Sequence, residues 1–375
     1  MAKRVILAVA GAGKTYHICH TIDKSKRNLI LAYTNENIHN IQRELCDAHG
    51  CVPELTTVST FDSFVYHNLV LPYEPSIVEH FGHPNFISHG ICTIDPPSRI
   101  IKNSKGKLVP NSSYISKERF EHYVTMRGMY YCATLSKLVL QVKQKQESLV
   151  EKAVARLNLF YDAVLIDEFQ DFREYDYELI MALAKQLHDV TLVGDYHQHS
   201  VSATNNSGKP FKKKKVDVAY DEFVAELKKA KFDIDTKTLE KSRRCSVEVC
   251  DYIRRKLGIS IISNGDHEGS VIWVDDSKAE DILADNRILK LVYKDSSNYS
   301  FHAMNWSYSK GDTVDAACVI LTDKFESLDD YAFDVVDISA STLNKLYVAM
   351  TRSRGNLYLM KFSTFKALKD LYCKG

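Results

Sequence analysis

The segment Val5-Ile6-Leu7-Ala8-Val9-Ala10-Gly11-Ala12-Gly13-Lys14-Thr15 decides the fold of this chain. Its apolar beginning predicts a buried strand, and the small residues that follow predict a tight loop leading into a helix. Small residues let backbone N–H groups turn towards a phosphate, and the helix that begins there adds the positive end of its dipole. We therefore expect a nucleotide to be held by Ala10, Gly11, Ala12, Gly13, Lys14 and Thr15. In this loop Lys14 would reach the β- and γ-phosphates, and the Thr15 hydroxyl would bind Mg²⁺.

A second polar pair follows a later apolar run, Ala163-Val164-Leu165-Ile166, which ends in Asp167-Glu168. Alone, two carboxylates at the end of a strand usually mark a solvated turn. Downstream of a phosphate-binding loop they have a better explanation, because phosphoryl transfer needs a metal ligand and a group that orients the attacking water. We expect Asp167 to hold Mg²⁺ and Glu168 to polarise the water.

Short apolar runs alternate with helical patterns along most of the chain, which predicts an α/β fold with parallel sheets flanked by helices. Ligands bind such sheets at the carboxyl ends of their strands. The predicted strands are 5–10, 28–33, 55–59, 163–167, 191–194, 270–274, 302–306, 317–321 and 356–360. The predicted helices include 116–157, with Gly128 as a possible break, and 217–229, 246–256, 278–293 and 342–351.

Two segments interrupt this alternation. Residues 71–111 contain most of the eight prolines and show little periodicity, so they predict an inserted loop or small subdomain. Residues 205–210 have the composition of a linker, and the basic run Lys212–Lys215 follows them. The sequence therefore predicts a first domain over 1–205 and a second over 216–375.

The composition is that of an ordinary soluble protein, with a net charge of +1. A small basic DNA-binding module would carry a larger excess of positive charge, so any nucleic-acid contact must come from a local basic surface. The nine cysteines have no zinc-type spacing and indicate reduced thiols. No apolar run approaches the length of a membrane helix, and we expect a cytoplasmic protein that does not contact a membrane.

Beyond Glu168 the string continues to Asp167-Glu168-Phe169-Gln170-Asp171, which resembles the DEFQD-like motif of superfamily 1 helicases of the UvrD/Rep type. Other strings that resemble motifs of this family appear in the family's order along the chain: Thr34-Asn35, Thr60-Phe61, VGDYHQ at 193–198, SRRCS at 242–246, SKGDTVD at 309–315 and YVAMTRSR at 347–354. The resemblance implies two RecA-like P-loop NTPase domains that hydrolyse ATP with Mg²⁺.

The same resemblance implies roles for individual residues. Gln198 would sense the γ-phosphate, Arg244 would touch it, and Arg352 would be an arginine finger, which in phosphoryl transfer is worth about 10³–10⁵ in rate. Single-stranded DNA would contact Thr34, Asn35, Thr60 and Phe61, with the Phe61 ring packed on a base. Arg243, Gly311 and Thr313 occupy positions of the family's nucleotide contacts.

The chain also departs from the family pattern. Arg243 replaces a stacking tyrosine and Thr313 replaces a glutamate, which leaves the preference for ATP over other triphosphates open. The large accessory insertions of the family are short here. Trp306 could stack on a base or lie in the core of a strand, and Lys212–Lys215 could bind phosphates or form a solvated face.

Two functions fit these observations. The first is an ATP-dependent DNA helicase or translocase that moves on single-stranded or tailed DNA. The second is a nucleotide- or DNA-sensing regulatory ATPase that serves a nuclease or other protein partner in repair or in antiviral defence, without processive unwinding. A small-molecule kinase fits less well, because such kinases need a lid and not a second domain that contributes Arg244 and Arg352.

Overall fold

A buried parallel sheet in the first half of the chain positions most of the predicted site. The structure is a computed structural model that describes residues 2–144, 147–199, 208–214 and 216–374. The elements of this half are β1 Ala2–Leu7, α1 Lys14–Thr21, β2 Asn28–Ala32, α2 Asn35–His49, β3 Thr56–Thr60, α3 Phe61–Phe64, α4 Glu74–His80, β4 Ile91–Cys92, β5 Ile100–Lys102, β6 Leu108–Pro110, β7 Tyr130–Tyr131, α5 Leu135–Gln141, β8 Lys143–Gln144, β9 Glu147–Ser148, α6 Leu149–Phe160, β10 Ala163–Ile166, α7 Glu174–Ala184, β11 Asp189–Gly194, β12 Lys212–Lys213, β13 Val216–Asp217, α8 Tyr220–Lys229 and β14 Asp233–Asp235.

The large sheet of this half has the strand order β14-β1-β11-β10-β2-β3. Strand β10 pairs in parallel with β11 and with β2, and β2 pairs in parallel with β3. All five residues of β2 are buried. A continuous apolar strand of this kind is typical of a parallel sheet that is covered on both faces.

A second sheet forms in the other half of the chain and is parallel throughout, in the order β17-β21-β20-β18-β19. Its four-residue strand β20 is fully buried. The elements of this half are β15 Lys241–Ser242, α9 Val247–Leu257, β16 Ile262–Ser263, β17 Val271–Val274, α10 Ala279–Ala284, β18 Leu289–Val292, β19 Ala303–Asn305, β20 Ala317–Ile320, α11 Ala340–Met350, β21 Leu357–Met360 and α12 Phe362–Tyr372. The predicted α/β class with parallel sheets and flanking helices is confirmed.

Two predicted helices are wrong. The segment 278–293 is a short helix, α10, followed by the buried strand β18. The helix ends because Asp285 leaves the helical conformation and its carboxylate accepts a hydrogen bond from the Arg287 N–H at 2.9 Å. The pattern was misleading because Lys290 lies on β18 and is nevertheless buried, with its ammonium donating to the Asp285 carbonyl at 2.6 Å.

The segment 116–157 is also not one helix. It contains β7, α5, β8, β9 and the beginning of α6. Gly128 adopts φ +72°, which breaks a helix, and Tyr130–Tyr131 then pair with Ile91–Cys92 as a short parallel ladder. The region 71–111 contributes no described strand to the large sheet, and it contains the hairpin of β5 and β6. The insertion predicted over these residues stays a prediction.

By the density of internal contacts the described chain divides into two units. The first contains residues 2–5, 15–193 and 208–234, and the second contains 6–14, 194–199 and 235–374. The domain limits of 1–205 and 216–375 stay a prediction. Residues 205–207 of the predicted linker and Lys215 of the basic run lie outside the described residues. No helix in the described part of the chain is both long and apolar enough to cross a membrane.

Candidate active site

The predicted phosphate-binding loop lies between the end of β1 at Leu7 and the beginning of α1 at Lys14. Gly11 and Gly13 adopt φ values of +71° and +83°, a region that only glycine enters without strain. The Lys14 side chain is largely buried. Loop and helix therefore have the geometry in which backbone N–H groups and a lysine can surround a phosphate.

Backbone hydrogen bonds fix the first residues of this loop within the second unit. The Ala8 N–H donates to the Gly194 carbonyl at 2.8 Å, and the Val9 N–H donates to the Leu239 carbonyl at 3.0 Å. Two separate segments thus hold the loop on its approach to the glycines.

Arg244 and Ser242 lie close to the loop at Gly11. A Cβ at this position would lie 2.6 Å from the Arg244 Cβ and 2.9 Å from the Ser242 Oγ. The Gly11 carbonyl also accepts a hydrogen bond from the Arg243 N–H at 2.9 Å. The predicted nucleotide contacts Arg243 and Arg244 are therefore beside the loop, as the motif resemblance implies.

A buried tyrosine hydroxyl joins the loop to the VGDYHQ segment. The Ala10 N–H donates to the Tyr347 hydroxyl at 2.9 Å, and that hydroxyl donates to the Asp195 carboxylate at 3.3 Å. The Gln198 amide donates to the same carboxylate at 2.8 Å. Burial, together with the negative charge of Asp195, raises the pKa of Tyr347 well above its usual value, which keeps the hydroxyl protonated.

The predicted metal ligands are in contact with each other in the first unit. The Thr15 hydroxyl donates to the buried Asp167 carboxylate at 2.6 Å. A hydroxyl and a carboxylate are oxygen ligands of the kind that Mg²⁺ prefers, usually together with water and substrate phosphates. The two residues that the sequence assigned to the metal thus fit this ion.

Glu168 has an unusual backbone at the end of β10. Its φ and ψ are 52° and 43°, the left-handed region, which costs a residue with a side chain about 1–3 kcal/mol. The Glu168 N–H donates to the Asp167 carboxylate at 2.8 Å, and the buried Gln170 amide donates to the Glu168 carboxylate. Strain held by such neighbours is typical of a functional residue.

Arg352 makes hydrogen bonds within the second unit, and its role as an arginine finger stays a prediction. Its guanidinium is buried and donates to the carbonyls of Val348 at 2.7 Å, Ser309 at 3.1 Å and Asp312 at 3.3 Å, and to the Thr351 hydroxyl at 3.1 Å. In this structure the side chain therefore holds the loop of residues 309–312 against α11.

Arg244 remains half-buried, with one guanidinium nitrogen donating to the Thr351 carbonyl at 3.1 Å. Arg243, Gly311 and Thr313 are exposed. Gly311 has φ +95°, which explains why a glycine follows the lysine in this motif.

Of the predicted nucleic-acid contacts, Thr34, Asn35 and Thr60 lie at the carboxyl ends of β2 and β3 in the first unit. Thr34 and Asn35 are exposed, and the hydroxyls of Thr34 and Thr60 cap the helices α2 and α3 by accepting the N–H groups of Asn37 and Ser63. Their positions agree with a surface site at this edge of the sheet.

Both aromatic residues that were predicted to contact a base are buried, and for Trp306 this is the core alternative that the sequence left open. Phe61 is only 1% exposed and packs edge-on against Phe172, with ring centroids 5.0 Å apart. Trp306 is fully buried in the core of the second sheet and donates from its indole N–H to the Leu291 carbonyl at 3.0 Å. Neither ring is exposed for stacking on a base in this structure, because both rings pack inside the apolar core.

Tyr33 is the exposed aromatic residue that the motif resemblance did not select. The residue is 48% exposed and directly precedes Thr34, and its ring lies edge-on to the Phe172 ring with the centroids 5.6 Å apart. Gln170, Asp195 and Tyr347 were missed as well, although each lies inside a quoted motif. The sequence signal for these three residues was their position inside a motif, and only their contacts in the structure show what each one does.

Comparison with known proteins gives one family and several distant structures. A family model described as an AAA domain matches residues 2–204, more than half of the chain. A PRRSV helicase structure is 13% identical with a TM-score of 0.44, covering 99% of this chain and 55% of the helicase. An Arterivirus nonstructural protein 10 (helicase) is 13% identical with a TM-score of 0.44, at 98% and 62% coverage.

A structure of Arterivirus nonstructural protein 10 (helicase) with DNA is 12% identical with a TM-score of 0.43, and covers 95% of this chain and 60% of that protein. The chain therefore spans between about half and two thirds of the length of these three structures. A search of curated protein sequences gives no match.

The replacement Tyr347→Phe tests the buried hydroxyl. It leaves the Ala10 N–H buried without its acceptor, so we expect the free energy of unfolding to fall by about 1–3 kcal/mol. Urea denaturation measures this, with Tyr331→Phe as control, since Tyr331 is fully exposed. Equal stabilities of Tyr347→Phe and wild type would show that the tie to the loop contributes nothing.

We expect the buried His197 side chain to make the stability of the protein sensitive to acid. Burial lowers the pKa of His197 to about 4, whereas the unfolded side chain titrates near pH 6.5. The unfolded state therefore binds the extra proton first, and this contribution is lost as pH falls from about 6.5 towards 4.

Burial raises the pKa of Asp176 to about 7, so this carboxyl makes the free energy of unfolding change with pH in the opposite direction over the same pH range. The contribution of His197 is therefore measured by comparing a His197 variant with wild type. Between pH 7 and pH 5, His197→Gln is expected to lose less stability than wild type in denaturant titrations. The control His39→Gln alters an exposed histidine and should follow wild type. Parallel pH curves for His197→Gln and wild type would contradict the assignment.

Proposed function

Because this chain belongs to the AAA domain family, we propose that it is a Mg²⁺-dependent ATPase of the UvrD type whose hydrolysis drives movement on single-stranded DNA. Membership of the family supports nucleotide binding and an NTPase of helicase type. The observation that carries the proposal further is the Thr15–Asp167 contact beside the strained Glu168.

In the proposed reaction a water oxygen bonds to the γ-phosphorus while the bond from that phosphorus to the bridging oxygen breaks, which releases ADP and phosphate. Glu168 orients the water and accepts its proton, and Gln170 fixes the Glu168 carboxylate by donating to it. Bound Mg²⁺ would supply charge stabilisation of the phosphate oxygens.

Two cationic side chains of the second unit suit the phosphates. Lys14 follows directly on the phosphate loop, and Arg244 adjoins Gly11 of that loop. We propose that Arg244 stabilises the charge that develops during transfer. Arg352 keeps the loop of residues 309–312 in place, and a finger role for it requires the guanidinium to leave acceptors such as the Val348 and Ser309 carbonyls.

For the DNA strand we propose the surface of Tyr33, Thr34, Asn35 and Thr60. Tyr33 offers an exposed ring, and base–aromatic stacking contributes about 1–3 kcal/mol per base. Exposed hydroxyl and amide groups beside it can contact the sugar–phosphate backbone.

A second candidate function is a regulatory ATPase subunit that signals to a nuclease in repair or antiviral defence. The burial of Phe61 and Trp306 favours it, because two of the predicted base-stacking groups are lost to the core. The ATPase measurement described below distinguishes the two candidates. A rate of hydrolysis that does not change when single-stranded DNA is added favours the regulatory subunit. The cytoplasmic location expected from the sequence stays a prediction.

We expect steady-state ATP hydrolysis to rise when a single-stranded oligonucleotide is added, and Glu168→Gln to lower the stimulated rate by about 10²–10⁴-fold. The matched control Glu280→Gln makes the same chemical change on an exposed helix and should keep the wild-type rate. A Glu168→Gln protein that still hydrolyses ATP at the wild-type rate would refute the proposed base.

A further inference from the structure

A small basic hairpin projects from the region between β4 and β7. Strands β5 and β6 pair antiparallel, with Ile100 opposite Pro110, Ile101 opposite Val109 and Lys102 opposite Leu108. We refer to residues 99–110 as the 99–110 hairpin. In its turn the Asn103 side-chain oxygen accepts the N–H groups of Lys105 at 3.0 Å and Lys107 at 2.9 Å. The turn is thus fixed by its own hydrogen bonds.

The 99–110 hairpin exposes apolar side chains that a hairpin normally buries. Ile100 is 54% exposed and Leu108 is 70% exposed. Within the described residues β5 and β6 form a sheet of two strands only. A two-stranded hairpin is marginally stable alone, and exposed apolar groups in such an element indicate an interaction surface.

The charge of the 99–110 hairpin is uniformly positive. Arg99, Lys102, Lys105 and Lys107 are all exposed, and the stretch 96–117 contains no Asp or Glu. Within the part of the chain that the structure describes, these four side chains make no salt bridge. Their charge is therefore available to an anionic partner, although the chain as a whole is nearly neutral.

The more conspicuous basic run of the sequence behaves differently. Lys212 pairs with Asp217 at 3.5 Å, and Lys213 pairs with Glu222 at 3.5 Å. Lysines of this run are thus partly neutralised by their own unit. Lys212 and Lys213 are therefore less available to an anionic partner than the four basic side chains of the 99–110 hairpin.

We propose that the 99–110 hairpin is a second nucleic-acid contact, separate from the surface of Tyr33 and Thr34, which binds the phosphodiester backbone. Lysines that neutralise phosphates release counterions, which gives binding energy that does not depend on sequence. Because Lys102 lies opposite Leu108 on one face of the hairpin, a phosphate contact there places Leu108 against the adjoining sugars. The inference rests on the proposed function in so far as the protein works on nucleic acid.

The test measures equilibrium binding of a fluorescent single strand and of a tailed duplex without nucleotide, at several concentrations between about 50 and 200 mM salt. The variant Lys105→Ala/Lys107→Ala is compared with Lys213→Ala/Lys229→Ala. The control pair removes the same net charge from the same unit, but its lysines are paired with Glu222 and Glu226.

We expect the hairpin variant to reduce the slope of log K against log salt by about 1–2, since each phosphate contact contributes about 0.7–0.9. Binding at the lower salt should weaken about tenfold, and the control should match wild type. A third variant, Leu108→Ser, should weaken binding several-fold without changing the slope, because it removes an apolar contact and no charge.

The two ligands and the three variants distinguish the possible results. A change confined to the tailed duplex, or one seen with both ligands, supports the inference and tells which form of nucleic acid the hairpin binds. An unchanged slope in the hairpin variant overturns the inference, while stimulation of wild-type hydrolysis by the strand leaves the proposed function standing. Wild-type protein that binds neither ligand overturns both.

Discussion

The missing side chain at Gly11 is the constraint on which the arrangement of charged groups depends. Its positive φ turns the loop, and its lack of a Cβ lets the backbone and side chain of Arg244 and the Ser242 hydroxyl come into contact with the loop. An alanine at this position would lie 2.6 Å from the Arg244 Cβ, so either the loop or the arginine would have to move. The proposed phosphate chemistry therefore depends first on the backbone conformation of Gly11, because this conformation allows the charged side chain of Arg244 to lie beside the loop.

Around this loop, buried polar groups are matched with partners. Tyr347 accepts from Ala10 and donates to Asp195, and Asp195 also accepts from Gln198. Buried polar groups are stabilising only when such bonds are made, and an incomplete network costs more than an apolar core. These bonds join the loop, the VGDYHQ segment and α11 within the second unit.

Much of the site was predictable because it depends on local chemistry. The phosphate loop and the end of β10 could be located from short strings, because each is a run of neighbouring residues that follows an apolar strand. The left-handed backbone of Glu168 was not predicted, because no residue of that string requires it. The parallel sheets followed from apolar runs. Strand β18 was missed because a buried lysine at position 290 disguises its apolar pattern. The sequence could not decide the burial of Phe61 or Trp306, because it shows an aromatic residue but not whether Phe172 or the second sheet covers that residue.

The central claim is that this loop binds a nucleoside triphosphate, and calorimetric titration with a non-hydrolysable ATP analogue and Mg²⁺ tests it most directly. Charge-assisted hydrogen bonds contribute about 1.5–3 kcal/mol, so Lys14→Ala should weaken binding by about 10- to 150-fold relative to wild type. Lys24→Ala, which alters an exposed lysine beyond α1, should bind as wild type does. Equal affinities of wild type and Lys14→Ala, or no binding by wild type, would contradict the account.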